Sequence, residues 1–169
     1  MNQPKERPVR KRLPHDIPSW VSIGDCYFIT ICTEPRGRNH LANPFVADSI
    51  AKSFRHNMNR GIWWADVLLV MPDHIHALMK FPADPGIRKS LSDWKHFLAR
   101  TCQIEWQRDF FEHRLRDDEN HIEKAHYVRM NPVRGGLVEK PEDWPFVWTF
   151  EDEEQDGGQG LADLPVGLV

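Results

Sequence analysis

The chain has 169 residues, of which 40% are hydrophobic and 28% charged, and this balance predicts one globular domain and excludes a disordered chain. Lys and Arg total 22 against 25 Asp and Glu, so the formal net charge is −3, an average that argues against a nucleic-acid partner. No apolar run approaches the ~20 residues of a membrane span, and no signal peptide is expected. Three widely spaced cysteines predict free thiols in a reducing cytoplasm.

The average charge conceals an uneven distribution along the chain. Residues 1–12 carry a net charge of +4, residues 13–138 of +1 and residues 139–169 of −8. The average therefore excludes no class of partner. We expect three segments, namely a basic N-terminal arm over residues 1–19, a single domain over residues 20–150 and an acidic, flexible tail over residues 151–169. The tail is interpreted as a solvated terminus, or alternatively as a mimic of nucleic acid.

Local signals along the chain predict a β-α-β-β-α-β-α order of elements. The β-branched and aromatic residues 26–33 predict the first strand. Asn43-Pro44 predicts the start of a helix that ends near Gly61. Residues 62–70 and 74–81 predict two antiparallel strands joined by a tight turn.

The second half of the chain predicts a long amphipathic helix, a strand and a last helix. The amphipathic helix is expected to end near Trp106 or Gln107. Residues 110–116 predict the fourth strand, and residues 119–131 predict a helix that Pro132 halts. This order is typical of an α+β, ferredoxin-like (split βαβ) antiparallel sheet with two helices on one face and a C-terminal, tyrosine-bearing helix. The predicted core residues are Trp63 or Trp64, Leu68, Ile75, Leu91 and Leu98.

A His-x-His pattern lies on the third predicted strand. Strand alternation sends His74 and His76 to one face, about 6.6–6.8 Å apart along the chain, while Ile75 enters the other face. Two imidazoles on one surface can converge on a divalent metal. The alternative is a pair of exposed or hydrogen-bonded histidines that bind no metal, and the pattern alone leaves both interpretations open.

The last predicted helix carries Tyr127 and Asn131, which are four residues apart and share a helical face. The phenol is a candidate nucleophile and the amide oxygen a candidate third metal ligand; the alternative is a core tyrosine and an asparagine that ends the helix. With the two histidines, these residues suit a metal-assisted attack of a phenol on a phosphodiester. Mg²⁺ or Mn²⁺ is the expected metal, and Zn²⁺ stays open. Tyr27 lies in an apolar strand and is expected in the core.

Several segments resemble one family of DNA-processing proteins. Met71–Leu78 (MPDHIHAL) resembles the His-hydrophobic-His (HUH) motif of the single-tyrosine insertion-sequence transposases. Tyr127–Val138 (YVRMNPVRGGLV) resembles the tyrosine helix of their REP-associated branch. Ser92–Phe97 and Phe110–Arg116 also match, so the resemblance runs from about residue 20 to Pro145. The serines expected after Trp144 are missing, and the acidic tail is not part of the shared pattern.

The resemblance implies a fold, an activity and a set of site residues. The family folds as a ferredoxin-like domain and cleaves single-stranded DNA near a hairpin, leaving a 5′-phosphotyrosine and a free 3′-hydroxyl; the REP-associated branch acts on repetitive extragenic palindromes. Tyr127 is then the nucleophile, His74 and His76 are metal ligands, and Asn131 stands at the position of a third ligand. The implied cofactor is Mg²⁺ or Mn²⁺. The chain is expected to be a monomer or a homodimer, and to bind no membrane.

Basic and aromatic residues supply the candidate DNA contacts. The arginines near the proposed site in sequence are Arg114, Arg116, Arg129 and Arg134. Arg36 and Arg38, with the basic arm, are the candidates for binding a hairpin. Trp63 and Trp64 are candidates for stacking on unpaired bases, although one of them is expected in the core. A solvated surface charge is the alternative for each arginine and the expectation for Lys95.

Three functions stay open on the sequence. The first is a metal-dependent single-stranded DNA endonuclease and strand transferase. The second is a non-catalytic regulator that binds DNA hairpins on the same scaffold. The third is a metal-dependent hydrolase in which Tyr127 has a structural role.

Overall fold

The computed structural model describes residues 25–116 and 121–150. The strands are β1 (Cys26–Cys32), β2 (Trp64–Val70), β3 (His74–Lys80), β4 (Phe111–Arg114) and β5 (Val147–Thr149). The helices are α1 (Pro44–Asn59), α2 (Gly86–Cys102), α3 (His121–Arg129) and α4 (Asn131–Arg134), with a 3-10 turn at Pro141–Asp143. The strands form one sheet in the order β4-β1-β3-β2-β5, and every neighbouring pair is antiparallel. The predicted N-terminal arm and acidic tail lie outside the described residues.

Helix α1 begins where its local signals predict. The Asn43 side chain accepts a hydrogen bond of 3.0 Å from the Val46 amide, and Pro44 occupies the first helical position. The helix stops at Asn59, two residues before Gly61, whose φ of +68° suits a residue without a Cβ. Ala47, Ile50 and Phe54 are buried against the sheet.

The larger core lies between the sheet and helices α1 and α2. The inward side chains of the two central strands are Tyr27, Ile29 and Ile31 of β1 and Ile75, Ala77 and Met79 of β3. Trp63 is fully buried and its ring centroid lies 5.5 Å from that of Trp94, whereas Trp64 is 51% exposed. The other predicted core residues are also buried. The predicted α+β sheet with two helices on one face, and the predicted position of Tyr27, are therefore confirmed.

Helix α3 covers the opposite face of the sheet. A smaller apolar cluster there joins Val67, Leu69 and Leu78 to Val128 of α3. Because Leu78 of β3 belongs to this cluster and Ile75 to the larger core, strand alternation assigns His74 and His76 to the α3 face. None of the helices within residues 25–116 and 121–150 combines the length and apolarity that crossing a bilayer demands.

The largest differences from the sequence predictions concern helix α2, the α3–α4 junction and strand β5. Helix α2 ends at Cys102, because Gln103 adopts a left-handed φ of +54°, and Trp106 instead forms a β-bridge with Thr33. Pro132 does not halt a single helix: α3 ends at Arg129, and Pro132 lies in the first turn of α4, where its missing N–H is tolerated. Strand β5 was not predicted, since its three residues are a strand only through their pairing with β2.

Candidate active site

The two histidines of β3 converge at their outer nitrogens. His74 Nε2 lies 3.1 Å from His76 Nε2. Behind them, His74 Nδ1 is 2.6 Å from Asp73 Oδ1, and His76 Nδ1 is 2.9 Å from the hydroxyl of Thr30, which faces His76 in the β1–β3 register. Each ring is thus held on its inner side and presents its outer nitrogen to the same point.

Asp73 is itself fixed from two directions. Its Oδ2 accepts a hydrogen bond of 2.7 Å from the Gly37 amide and forms a 2.8 Å ion pair with Arg36 Nε. Burial raises the pKa of the Asp73 carboxyl, but the hydrogen bonds from His74 and Gly37 and the charge of Arg36 outweigh burial and lower that pKa. An ionised carboxylate only accepts hydrogen bonds, so His74 Nδ1 carries the proton and Nε2 carries a lone pair.

The electrostatics of the site favour the neutral form of both imidazoles. Burial, together with the neighbouring His74 and Arg36, lowers the pKa of His76 to about 3. Burial also lowers the pKa of His74, against the raising effect of Asp73. Neutral imidazole is the form that binds a metal. Two nitrogens about 2.1 Å from one ion lie 3.1 Å apart when they subtend roughly 95°, so this pair fits a divalent cation.

Helix α3 brings Tyr127 to the same face. The Tyr127 side chain is 44% exposed. Lys124 Nζ lies 5.4 Å from the Tyr127 ring centroid and 5.2 Å from that of Phe28. The Phe28 ring stacks on His76 at 5.1 Å, so one continuous set of contacts joins the tyrosine to the histidine pair. The Arg134 guanidinium lies 4.4 Å from the Tyr127 ring centroid on the α4 side.

Asn131 holds the junction between α3 and α4. Its Nδ2 donates to the carbonyls of Tyr127, at 3.2 Å, and Val128, at 2.9 Å, at the end of α3. Within the described part of the chain, its hydrogen bonds go to these carbonyls and not to either histidine. The structure thus places the side chain as an asparagine that ends a helix, and its role as a metal ligand stays a prediction.

The candidate DNA-contacting arginines are dispersed over the molecule. Arg134 is beside Tyr127, and Arg36 is engaged with Asp73. Arg114 of β4 forms a 3.0 Å ion pair with Asp25. The three further candidates, Arg38, Arg116 and Arg129, are exposed. A contact with DNA stays a prediction for all six.

Sequence reasoning missed several supporting residues. Lys124 precedes Tyr127 by three residues, a spacing that places both on one helical face and was available in the sequence. Thr30 and Phe28 needed the strand register. Lys95 was expected to be a solvated charge, and that expectation is wrong: its Nζ donates to the carbonyls of Gln107, at 2.7 Å, and Arg108, at 2.9 Å, and burial lowers its pKa.

The sequence of this chain is similar to those of two known proteins. No family model matches the chain. A protein of Haemophilus influenzae named "Putative REP-associated tyrosine transposase" is 26% identical over 140 residues, which cover 73% of this chain and 78% of that protein. The REP-associated tyrosine transposase of Escherichia coli is 30% identical over 87 residues, which cover 50% of this chain and 53% of the relative. In sequence the chain is thus similar to proteins named REP-associated tyrosine transposases.

A solved structure has the same fold as this chain. The structure of a REP-associated tyrosine transposase bound to a REP hairpin matches 92% of this chain and 100% of its own with a TM-score of 0.68. At 19% identity the match shows that the two proteins share the fold. The fold class predicted from the sequence agrees with this transposase structure.

Proposed function

We propose that this protein is a REP-associated tyrosine transposase, a metal-dependent endonuclease and strand transferase that acts on single-stranded DNA carrying a hairpin. The observation that carries the proposal is the convergence of His74 Nε2 and His76 Nε2 at 3.1 Å on the sheet face that also holds Tyr127. The similarity to a REP-associated tyrosine transposase and the hairpin bound by the structural neighbour support the choice of DNA as substrate.

Tyr127 is the proposed nucleophile. Its Oη gives up its proton and attacks the phosphorus of a phosphodiester. The Oη–P bond forms, the bond from phosphorus to the 3′-oxygen breaks, and that oxygen takes up a proton, so the number of protons balances. The products are a 5′-phosphotyrosine and a free 3′-hydroxyl. The ester conserves the energy of the broken bond, so attack by a 3′-hydroxyl can rejoin strands and regenerate the phenol.

His74 and His76 are the residues proposed to hold Mg²⁺ or Mn²⁺, with the amide oxygen of Asn131 as the third ligand. When bound, such an ion polarises a phosphoryl oxygen and compensates the charge that develops on it. Asp73 and Thr30 orient the two imidazoles through their Nδ1 atoms.

Positive charge around the phenol supports the same role. Lys124 Nζ and the Arg134 guanidinium each lie within 5.4 Å of the Tyr127 ring centroid. These cations are placed to attract a phosphodiester to the hydroxyl.

The experiment that tests the proposal is the capture of the covalent intermediate. A labelled hairpin oligonucleotide with a single-stranded flank is incubated with the chain and Mn²⁺, and the protein–DNA adduct is resolved on a denaturing gel. We expect the adduct to be lost in Tyr127→Phe. The matched control is Tyr27→Phe, since Tyr27 is the second of the two tyrosines and is buried in the larger core.

Two outcomes would contradict the proposal. An adduct that survives Tyr127→Phe at the wild-type rate would remove Tyr127 as the nucleophile. Hairpin binding without an adduct at every metal concentration would favour the non-catalytic regulator.

A further inference from the structure

A second group of metal-binding side chains lies on the α3 face, away from the two histidines of β3. Cys26 of β1, Asp66 of β2 and His121 of α3 meet there. Cys26 faces Lys80 at the far end of β3, whereas His76 faces Thr30, four residues further along β1. Four strand residues span roughly 13 Å, so this group is separate from the proposed active site.

The three ligand atoms are close together. His121 Nε2 lies 2.8 Å from Asp66 Oδ2 and 3.0 Å from Cys26 Sγ. All three ligand atoms lie within 4.8 Å of one another. Thiol, carboxylate and imidazole thus converge from three different elements onto one small volume.

An irregularity in β2 puts Asp66 in this place. The β2–β3 register shifts between Ala65 and Val67. Ala65 belongs to the larger core and Val67 to the cluster under α3, so the bulged Asp66 and Val67 both address the α3 face. A bulge inserts one extra residue and re-aims a side chain, and bulges are enriched next to functional sites.

Without a metal, His121 Nε2 has one proton or one lone pair for two partner atoms. Hydrogen bonding then requires one N–H shared between the carboxylate and the sulfur in a three-centre bond. A cation between the three atoms accepts a lone pair from each of them. Cysteine sulfur, histidine nitrogen and a carboxylate oxygen are the ligands that Zn²⁺ takes in proteins.

We propose that Cys26, Asp66 and His121 form a second metal site, which takes Zn²⁺ and fastens the first turn of α3 to the sheet. Tetrahedral zinc ligands of these types are roughly 3.3–3.6 Å apart, so the two short contacts lengthen by about 0.5 Å on binding. Three protein ligands leave a fourth position for water. His121 precedes Tyr127 by six residues, so the ion would position the helix that carries the tyrosine.

Cobalt(II) as a spectroscopic substitute for zinc tests this site. A thiolate bound to Co²⁺ gives a charge-transfer absorption that the histidine pair of β3 does not supply. We expect the full chain and a His74→Ala/His76→Ala double variant to show this band, and Cys26→Ser to lose it. Cys32→Ser and Cys102→Ser are the matched controls and should keep the band.

Zinc affinity gives the second measurement. By competition with a chelating dye, Asp66→Asn and Cys26→Ser should each weaken Zn²⁺ binding at least about 10-fold. The proposal is overturned if the wild-type chain shows no band, if the band survives Cys26→Ser, or if it disappears in the double histidine variant. Circular dichroism checks the fold of each variant. If Cys26→Ser does not fold, the zinc affinity of Asp66→Asn tests the site instead. An affinity equal to that of the wild-type chain refutes the site.

This test is independent of DNA cleavage. The cobalt band and the zinc affinity are measured on the chain alone, whereas the proposed function is tested by the DNA adduct. Either result can therefore fail without the other.

Discussion

The two faces of the sheet differ in what they bury. The α1–α2 face is filled with apolar side chains at regular strand and helix spacing, including the fully buried Trp63, Phe54 and Leu91. The α3 face has a smaller apolar cluster and carries several partly buried titratable groups, among them His74 and His76. We therefore expect substitutions on the α1–α2 face to change mainly the stability of the protein, and substitutions on the α3 face to change mainly the proposed reaction.

The largest effect is expected on the α1–α2 face. Trp63→Ala removes an indole that packs against Phe54, Trp94 and Phe81, and should lower the free energy of unfolding by about 3–5 kcal/mol. The free energy of unfolding is measured by urea denaturation followed by circular dichroism. Trp64→Ala is the matched control, and this half-exposed neighbour should change stability by no more than about 0.5 kcal/mol. Equal losses in the two variants would contradict the assignment of the core to one face.

On the α3 face, His74→Ala should act on the reaction far more than on stability. Loss of a proposed metal ligand should slow adduct formation at least about 100-fold. The free energy of unfolding should fall by no more than about 1 kcal/mol, because Asp73 keeps its ion pair with Arg36. The rate of adduct formation is measured with the labelled hairpin, and the free energy of unfolding by urea denaturation. His96→Ala, at an exposed position of α2, is the control for both measurements. If His74→Ala loses rate and stability in parallel, His74 has a structural role.

The difference between the faces also explains what could be predicted from the sequence. Asn43 and Pro44 signal the start of α1 through contacts within four residues, and apolar periodicity identifies the side chains that face α1 and α2. Strand alternation is equally local, which is why it predicts that His74 and His76 share a face. The larger core and the histidine pair could therefore be predicted from local sequence patterns.

The remaining features depend on residues distant in the chain. Val147–Thr149 forms a strand only because β2 is beside it, and Lys95 is held by carbonyls of a segment twelve residues further along. Cys26 was predicted only to be a free thiol, since its neighbours Asp66 and His121 come from other elements and a bulge aims one of them. Local patterns contain none of these contacts.

A smaller effect is expected at Asp73, whose side chain contacts His74 Nδ1 behind the histidine pair. Asp73→Asn keeps the shape of the side chain but loses the charge that fixes the proton on His74 Nδ1. We expect the Mn²⁺ concentration for half-maximal adduct formation to rise about 10–100-fold. Asp93→Asn, which alters an exposed ion pair with Lys89 on α2, should leave it unchanged. The same shift in both variants would indicate a general effect of charge on DNA binding.

The smallest effect is expected at Asn131, where two roles can be separated. Asn131→Ala and Asn131→Asp both lose the Nδ2 donors to the carbonyls of Tyr127 and Val128, so each should lower the free energy of unfolding by about 1 kcal/mol. Only Asn131→Asp keeps an oxygen that can bind a metal. If Asn131 is the third ligand, the Asp variant should form adduct faster than the Ala variant at saturating Mn²⁺. Equal rates in the two variants would assign Asn131 only a role in ending helix α3, because of the two variants only the aspartate offers an oxygen ligand.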